Sequence, residues 1–346
     1  MDSAEPTAAT QPPALSRSSL ASRLSFLSGP LLGLAGILAL FIILIGLKGE
    51  LHQFLSLPNL QVLVHEATIP AVVAIGALLV IITGGIDLSV GSVVALVTVV
   101  AVQVYRLLYS EGSVAIPSWA AILAGLATGG LCGLVNGLVI IGLRVPPFVA
   151  TLGMLSIARG LAVWLSGRRT IAFPGPDPAW VKAFNQVHPS VTVFNAGFWS
   201  LVLLALAAVL LLRFTIWGRY MYAIGSHEAT ARLCAIPIVR MKVFTYTLAG
   251  LLTGWAGILH LAHGTSGDPS AEVGLELEVI AAVVVGGASL KGGKGTVFGT
   301  LLGVAILAVL ANGVNVYNVP IEVQYILIGL IIIGNTALTQ WRGRQP

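Results

Sequence analysis

Charge is what this 346-residue sequence has least of. Asp, Glu, Lys and Arg make up 9% of it, against 57% hydrophobic residues. A soluble domain needs roughly 25% charged residues to cover a surface that faces water. A water-soluble enzyme or binding domain is therefore excluded, and a mean hydropathy of +0.96 makes lipid the matching solvent. Cysteine is nearly absent too. Cys132 lies in an apolar run and Cys234 in a basic loop, neither at a metal-site spacing, so neither a metal centre nor a disulfide is expected. No His-Glu-x-x-His pattern and no nucleophile with a spaced base occurs, which leaves no catalytic constellation and no implied cofactor. The start lacks the layout of a cleaved signal peptide or a lipidation site, so the first apolar run reads as a retained anchor.

What the chain does contain is a succession of apolar runs. A bilayer core takes about 20 residues of helix, and spans are expected near 31–47, 60–83, 88–109, 119–142, 148–166, 198–213, 243–263, 276–290, 296–312 and 322–340. Within 60–109 and 276–312 there is room for broken or re-entrant segments. The expected fold is all-α, a polytopic membrane protein of about ten transmembrane helices with both termini cytoplasmic. Residues 1–30, rich in Pro, Ser and Thr, read as a disordered cytoplasmic tail; 31–340 form one transmembrane domain, and 341–346 a second tail. The net charge of +5 points to no nucleic acid, because Lys and Arg are spread over short loops. With the amino terminus inside they concentrate in cytoplasmic segments, as the positive-inside rule requires.

Three interruptions carry more than connection. The cytoplasmic loop 214–242 contains Gly225 and Ser226 as a turn and helix cap. They are followed by a helix of about two turns in which Glu228 and Arg232 stand four apart, with Ala229, Ala231 and Leu233 between or beyond them; Pro237 ends it. From spacing alone this is either a solvated connector or a docking element. At 83–92, Gly84 and Gly85 release the backbone from helix, and Asp87 with Ser89 can cap a new one. This reads as a capped helical hairpin or as contact with a gate or partner, with Asp87 placed near the cytoplasmic face. At 286–295 a glycine-rich stretch with Lys291 and Lys294 imitates a phosphate loop. However, Ala288 stands at its first glycine and Gly295 at its Ser or Thr, so nucleotide binding is rejected. Among polar residues in or beside spans (Asn136, Thr151, Thr247, Thr253, His260, Asn312, Gln324 and Asn335), helix-to-helix bonding is the default role.

Taken together, Gly-Gly-Ile-Asp-Leu-Ser-Val-Gly at 84–91, Asn136-Gly137, the Val-Pro-Pro-Phe run at 145–148 and the segments 225–236 and 280–300 resemble the permeases of bacterial monosaccharide ABC importers. The similarity extends over roughly 55–335. It implies a pore subunit of the bacterial inner (cytoplasmic) membrane, paired with a second, like or unlike permease. A separate cytoplasmic ATPase and a periplasmic or extracellular sugar-binding protein would complete the system. It also implies that Gly225, Glu228, Ala229, Ala231 and Arg232 belong to a coupling helix that enters the ATPase. Gly84, Gly85, Asp87 and Ser89 would form a gate or hairpin, and Asn136, Thr151 and Asn312 are candidates for the solute path. Departures from the pattern are Thr230, Cys234 and Ala235, the last where a glycine is common. Permeases for branched-chain amino acids, nucleosides or a signalling furanose share the architecture, and an ion-coupled secondary transporter is the reading from another class.

Overall fold

The computed structural model describes residues 20–110, 115–185 and 194–317, with isolated positions up to 330. Its helices in chain order are α1 Leu20–Leu47, α2 Leu51–Phe54, α3 Leu57–Ile82, α4 Val90–Leu108, α5 Ala115–Gly142, α6 Pro147–Ser166, α7 Ala179–Asn185, α8 Ala196–Phe214, α9 Ile216–Ser226, α10 Glu228–Leu233, α11 Ile238–Gly264, α12 Leu275–Val285 and α13 Val297–Val316. Two short strands, β1 Ile171–Ala172 and β2 Ser266–Gly267, pair antiparallel at one end of the bundle. Among the described residues eight helices are long and apolar enough to cross a membrane.

Two expected spans differ from this. The run at 276–290 is crossed only by α12, whose 11 residues reach about 17 Å at 1.5 Å per residue, roughly half the apolar thickness of a bilayer. It ends where Gly286 and Gly287 stop the helix, so the segment is broken rather than spanning. The run at 322–340 lies almost wholly outside the described residues, as do 1–19 and 341–346. Helix α1 begins at Leu20, inside the stretch expected to be tail. Pro30 lies within this helix, so a proline in the stretch does not by itself end it.

The centre of the bundle is the pair α5 and α11, antiparallel and packed backbone to backbone. Gly125, Gly129, Gly133 and Gly137 recur every fourth residue on α5. A Cβ on Gly129 would strike Gly250 and Gly254 of α11, and one on Gly133 would strike the Tyr246 carbonyl. Absence of side chains along this stripe lets the helices approach closely, which is how helices associate where lipid removes the hydrophobic drive. Helix α3 is buried along most of its length, with Val72, Leu78 and Ile82 fully enclosed. Helices α6 and α8 turn broad apolar faces outward; Leu152, Ile157, Leu203 and Leu206 are exposed, as lipid-facing residues should be.

Candidate functional site

At one end of the bundle three loops interlock. Helix α3 closes with Gly84 left-handed at φ +80°, while Gly85 N–H bonds Val80 O at 3.1 Å and Gly84 N–H bonds Ile81 O at 2.9 Å. This is the glycine-terminated helix end that satisfies the last carbonyls. The Gly293 N–H donates to Ile82 O at 2.9 Å. Gly225, on the last turn of α9, sits between that carbonyl and the Gly293 amide with no room for a side chain. The Tyr222 hydroxyl adds a 2.8 Å bond to Gly295 O. The lysine-flanked glycine loop is thus a structural clasp. Arg144, Arg213, Arg219, Arg232, Arg240, Lys242, Lys291 and Lys294 lie in segments at this end, whereas Lys48, Arg106, Arg168, Arg169 and Lys182 lie at the other. The clasp therefore marks the cytoplasmic face.

Beyond the clasp comes the short helix α10. Its cap is His227, whose Nδ1 accepts from Thr230 N–H at 3.2 Å. Gly225 and Ser226, expected to provide the cap, instead finish α9, because the chain stays helical to Ser226 and turns extended only at His227. Glu228 accepts from Lys242 Nζ at 2.7 Å and from Arg232 at 3.4 Å. The Lys242 hydrogen bond holds the Glu228 carboxyl below the usual glutamate range, with the charges of Lys242 and Arg232 assisting against desolvation. Helix α10 ends with Ile236 N–H on Ala231 O and Ala235 N–H on Arg232 O, at 3.1 Å each, and with Ala235 left-handed at φ +56°. That geometry is one glycine ordinarily fills. The helix is two-faced: Ala231 is buried at 3% exposure, while Ala229, Thr230, Arg232 and Cys234 face outward and Leu233 is 89% exposed.

From Gly84 the chain does not remain at the surface. Residues 85–89 run without regular structure into the bundle. Asp87 Oδ1 accepts from Ser89 N–H (2.8 Å) and Ser89 Oγ (2.6 Å), and Asn136 Nδ2 donates to Ser89 Oγ at 3.1 Å. The Thr151 hydroxyl shares its proton between the carbonyls of Pro147 (3.0 Å) and Ile86 (3.3 Å). Asp87, Ser89, Cys132, Gly133, Asn136 and Thr253 line one crevice between α4, α5 and α11. Asn136 stands six residues inside the end of α5, about 9 Å of helix, so Asp87 lies deeper than a hairpin at the cytoplasmic face would put it. The irregular residues on each side of Asp87 carry it inward. Ser89 is the residue before α4, without a side-chain cap bond, so the Asp87–Ser89 contact is a local turn rather than a helix cap.

The structure thus joins Gly84, Gly85, Asp87, Ser89, Asn136 and Thr151 in one continuous set, with Gly225 clasped to its start. Asn312 is elsewhere, near the outer ends of α3 and α13, in reciprocal amide bonds with Asn59 at 2.9 and 3.0 Å. Lys242 and His227 were missed by spacing. The first is 14 residues from Glu228, and a histidine is an uncommon cap.

A family model described as "Branched-chain amino acid transport system / permease component" matches residues 59–335. The chain belongs to this permease family. The permease is 36% identical over 281 residues to the ribose import permease protein RbsC of Escherichia coli K12, covering 81% of this chain and 85% of that one. It is 34% identical over 292 residues to the fructose import permease protein FrcC of Rhizobium meliloti (84% and 79% covered). It is 33% identical over 316 residues to the L-arabinose ABC transporter permease protein AraH of Azospirillum brasilense (91% and 90%). No solved structure matches. The permease is a multi-pass protein of the inner (cytoplasmic) membrane.

Proposed function

We propose that this permease forms the membrane path of an ATP-driven monosaccharide importer, with α10 as the element that docks into a separate cytoplasmic ATPase. The observation that carries the docking role is the division of α10. Its inner face is fixed by Ala231 and by Glu228 on Lys242, and its outer face offers Leu233 at 89% exposure beside Arg232 and Thr230. A leucine standing free on a six-residue helix at the cytoplasmic face gains by burial in a partner, about 2 kcal/mol for a full side chain. ATP binding in the partner would move α10, and through the Gly225 clasp the helices above it, as a bistable rigid-body transition. A second permease subunit would close the path, and an external binding protein would deliver solute.

A monosaccharide is favoured because the relatives above are named for ribose, fructose and L-arabinose import. The family description's branched-chain amino acid is the competing solute. Asp87, deep between α5 and α11, is what an ion-coupled reading would rest on. Uptake that collapses with an ionophore and ignores ATP would establish that alternative.

Cys234 tests the docking directly. Being exposed beside Leu233, it should react with an impermeant maleimide in inside-out membranes stripped of the ATPase, and be protected when the ATPase is added back. Equal labelling with and without the ATPase, or labelling only from the external side, overturns the role of α10.

A further inference from the structure

Tyr246 on α11 is 1% exposed, and its hydroxyl has no hydrogen-bond partner. A buried phenol ordinarily finds one, and an orphan in a well-packed interior calls for a reason. The hydroxyl rests against Gly85, where a Cβ would collide with it. Two residues further along the same irregular segment, Asp87 is 7% exposed and takes both of its hydrogen bonds on Oδ1, from Ser89. Its Oδ2 takes none among the described residues. A buried donor without a partner therefore sits beside a segment that carries a carboxylate oxygen open to accept, and the two are not joined here.

The segment that separates them has the means to move. Residues 85–89 belong to no helix or strand. Gly84 at one end is a left-handed hinge, packed near the Lys291 carbonyl and Gly292. Behind the hinge, Ile82 O is held by Gly293 and crowded by Gly225, the last turn before α10. Any displacement of α10 thus reaches this hinge through backbone contacts that have no slack.

We propose that 84–89 is a two-position latch, and that in its second position the Tyr246 hydroxyl donates to Asp87 Oδ2. In the position seen, Asp87 is held by Ser89, and through Ser89 by Asn136. In the other, α11 takes hold of the segment, and the pull reaches α5 through Asn136 and α6 through Thr151. Tyr246 is a positioning residue, contributing to one state and idle in the other. The latch rests on the coupling role of α10 for its drive, though its two positions do not depend on which solute is carried.

The test uses the permease with its ATPase and binding protein in proteoliposomes, reading ATP hydrolysis and labelled ribose uptake together. Tyr246→Phe removes a hydroxyl that is unpaired here, so thermal stability of the resting complex should hold or rise, and ATP hydrolysis should persist. Ribose moved per ATP should fall about tenfold or more, the effect of losing a charge-assisted hydrogen bond from one state only. Asp87→Asn, which keeps the acceptor for Ser89 but turns the other oxygen into a donor, should cost a similar factor. The double variant should lose no more than either single one, because both remove the same bond. An unchanged ribose-to-ATP ratio in Tyr246→Phe, or losses that multiply in the double variant, overturns the latch. Hydrogen exchange at 85–89 separates this from failure of the functional reading. Trapping the complex with a non-hydrolysable ATP analogue should change exchange there in the wild type and not in Tyr246→Phe. An unresponsive wild type overturns the latch, whereas absent ribose uptake with responsive exchange overturns only the sugar reading and supports the latch.

Discussion

Replacing Gly225 by alanine tests the clasp with a single methyl group. A Cβ there would fall onto Ile82 O and lie 2.5 Å from Gly293 N, inside van der Waals contact on both sides. Both neighbours are backbone atoms joined to each other by a 2.9 Å hydrogen bond, so neither can rotate away as a side chain would. Overpacking of this kind costs about 1–3 kcal/mol. Losing the Ile82–Gly293 bond adds about 1 kcal/mol. Alanine returns up to about 1 kcal/mol through its better helix propensity in the last turn of α9. The net loss is about 1–3 kcal/mol, concentrated at one contact. It should be read where it acts: the Gly293 amide should exchange with solvent about 5 to 150 times faster, since 1.4 kcal/mol is a factor of ten, while amides in the middle of α5 keep their protection. ATP-driven uptake should fall, and ATP hydrolysis should become less dependent on solute. An unchanged Gly293 exchange rate in a variant that transports normally would refute the claim that these loops are locked together without slack.

Other sites give sharper or opposite signs. Ala235→Gly should stabilise the end of α10 by about 0.5–1 kcal/mol, because a left-handed residue at φ +56° loses its Cβ strain; slower exchange at the Ile236 amide would show it, and faster exchange would not. Glu228 has a depressed folded pKa, so its contribution is present above the usual glutamate range near 4.5 and is lost as pH falls through the lower folded value. Protection of the α10 amides, taken relative to free-peptide exchange at the same pH, should accordingly be flat from neutral pH down to that range and fall only below it, and Glu228→Gln should remove the step. Arg159 donates from Nη1 to Pro269 O at 2.7 Å and Ala271 O at 3.0 Å; Arg159→Lys, which cannot present the same fork, should cost about 1–3 kcal/mol in thermal stability of the purified protein, and no change would show those bonds to be idle.

The membrane class, most spans and the short helix after His227 were legible because each follows from a local pattern. Apolar length marks α3, α4, α5 and α11, and the Glu228–Arg232 spacing marks α10. What was not legible depends on partners far along the chain. Nothing in the neighbourhood of Glu228 announces Lys242. Nothing in the glycine-rich run at 286–295 announces Ile82 as the acceptor that explains it. The depth of Asp87 was misjudged because paired glycines between apolar runs imply a surface turn, whereas here they launch an irregular stretch inward. A break within 276–312 was allowed for, but its place was not legible: 276–290 is apolar enough to span, and only Gly286 packed on Gly299 shows where the helix stops. Asn136, Thr151 and Asn312 looked alike as polar residues in or beside spans, and only their partners separate the first two from the third.

Helix α6 brings these irregularities into one mechanical frame. Non-helical backbone inside a bundle is tolerated only where protein or water satisfies its polar groups, and two irregular stretches of the permease, 85–89 within the bundle and 265–274 leading from the β1–β2 pair to α12, meet that need in one way. Both are serviced from α6, by Thr151 on the Ile86 carbonyl and by Arg159 on Pro269 and Ala271. The two side chains stand eight residues apart, about 12 Å along the helix, so α6 bridges a break reached from the cytoplasmic side and another reached from the outside. Its opposite face, with Ile157 and Leu161 exposed, is turned away from the bundle. Under the proposed coupling, a displacement passed up through the Gly225 clasp to 85–89 would reach 265–274 along α6, which bonds to both. In the importer proposed above, switching access from one side of the membrane to the other would use such a link, because its two ends must never open together.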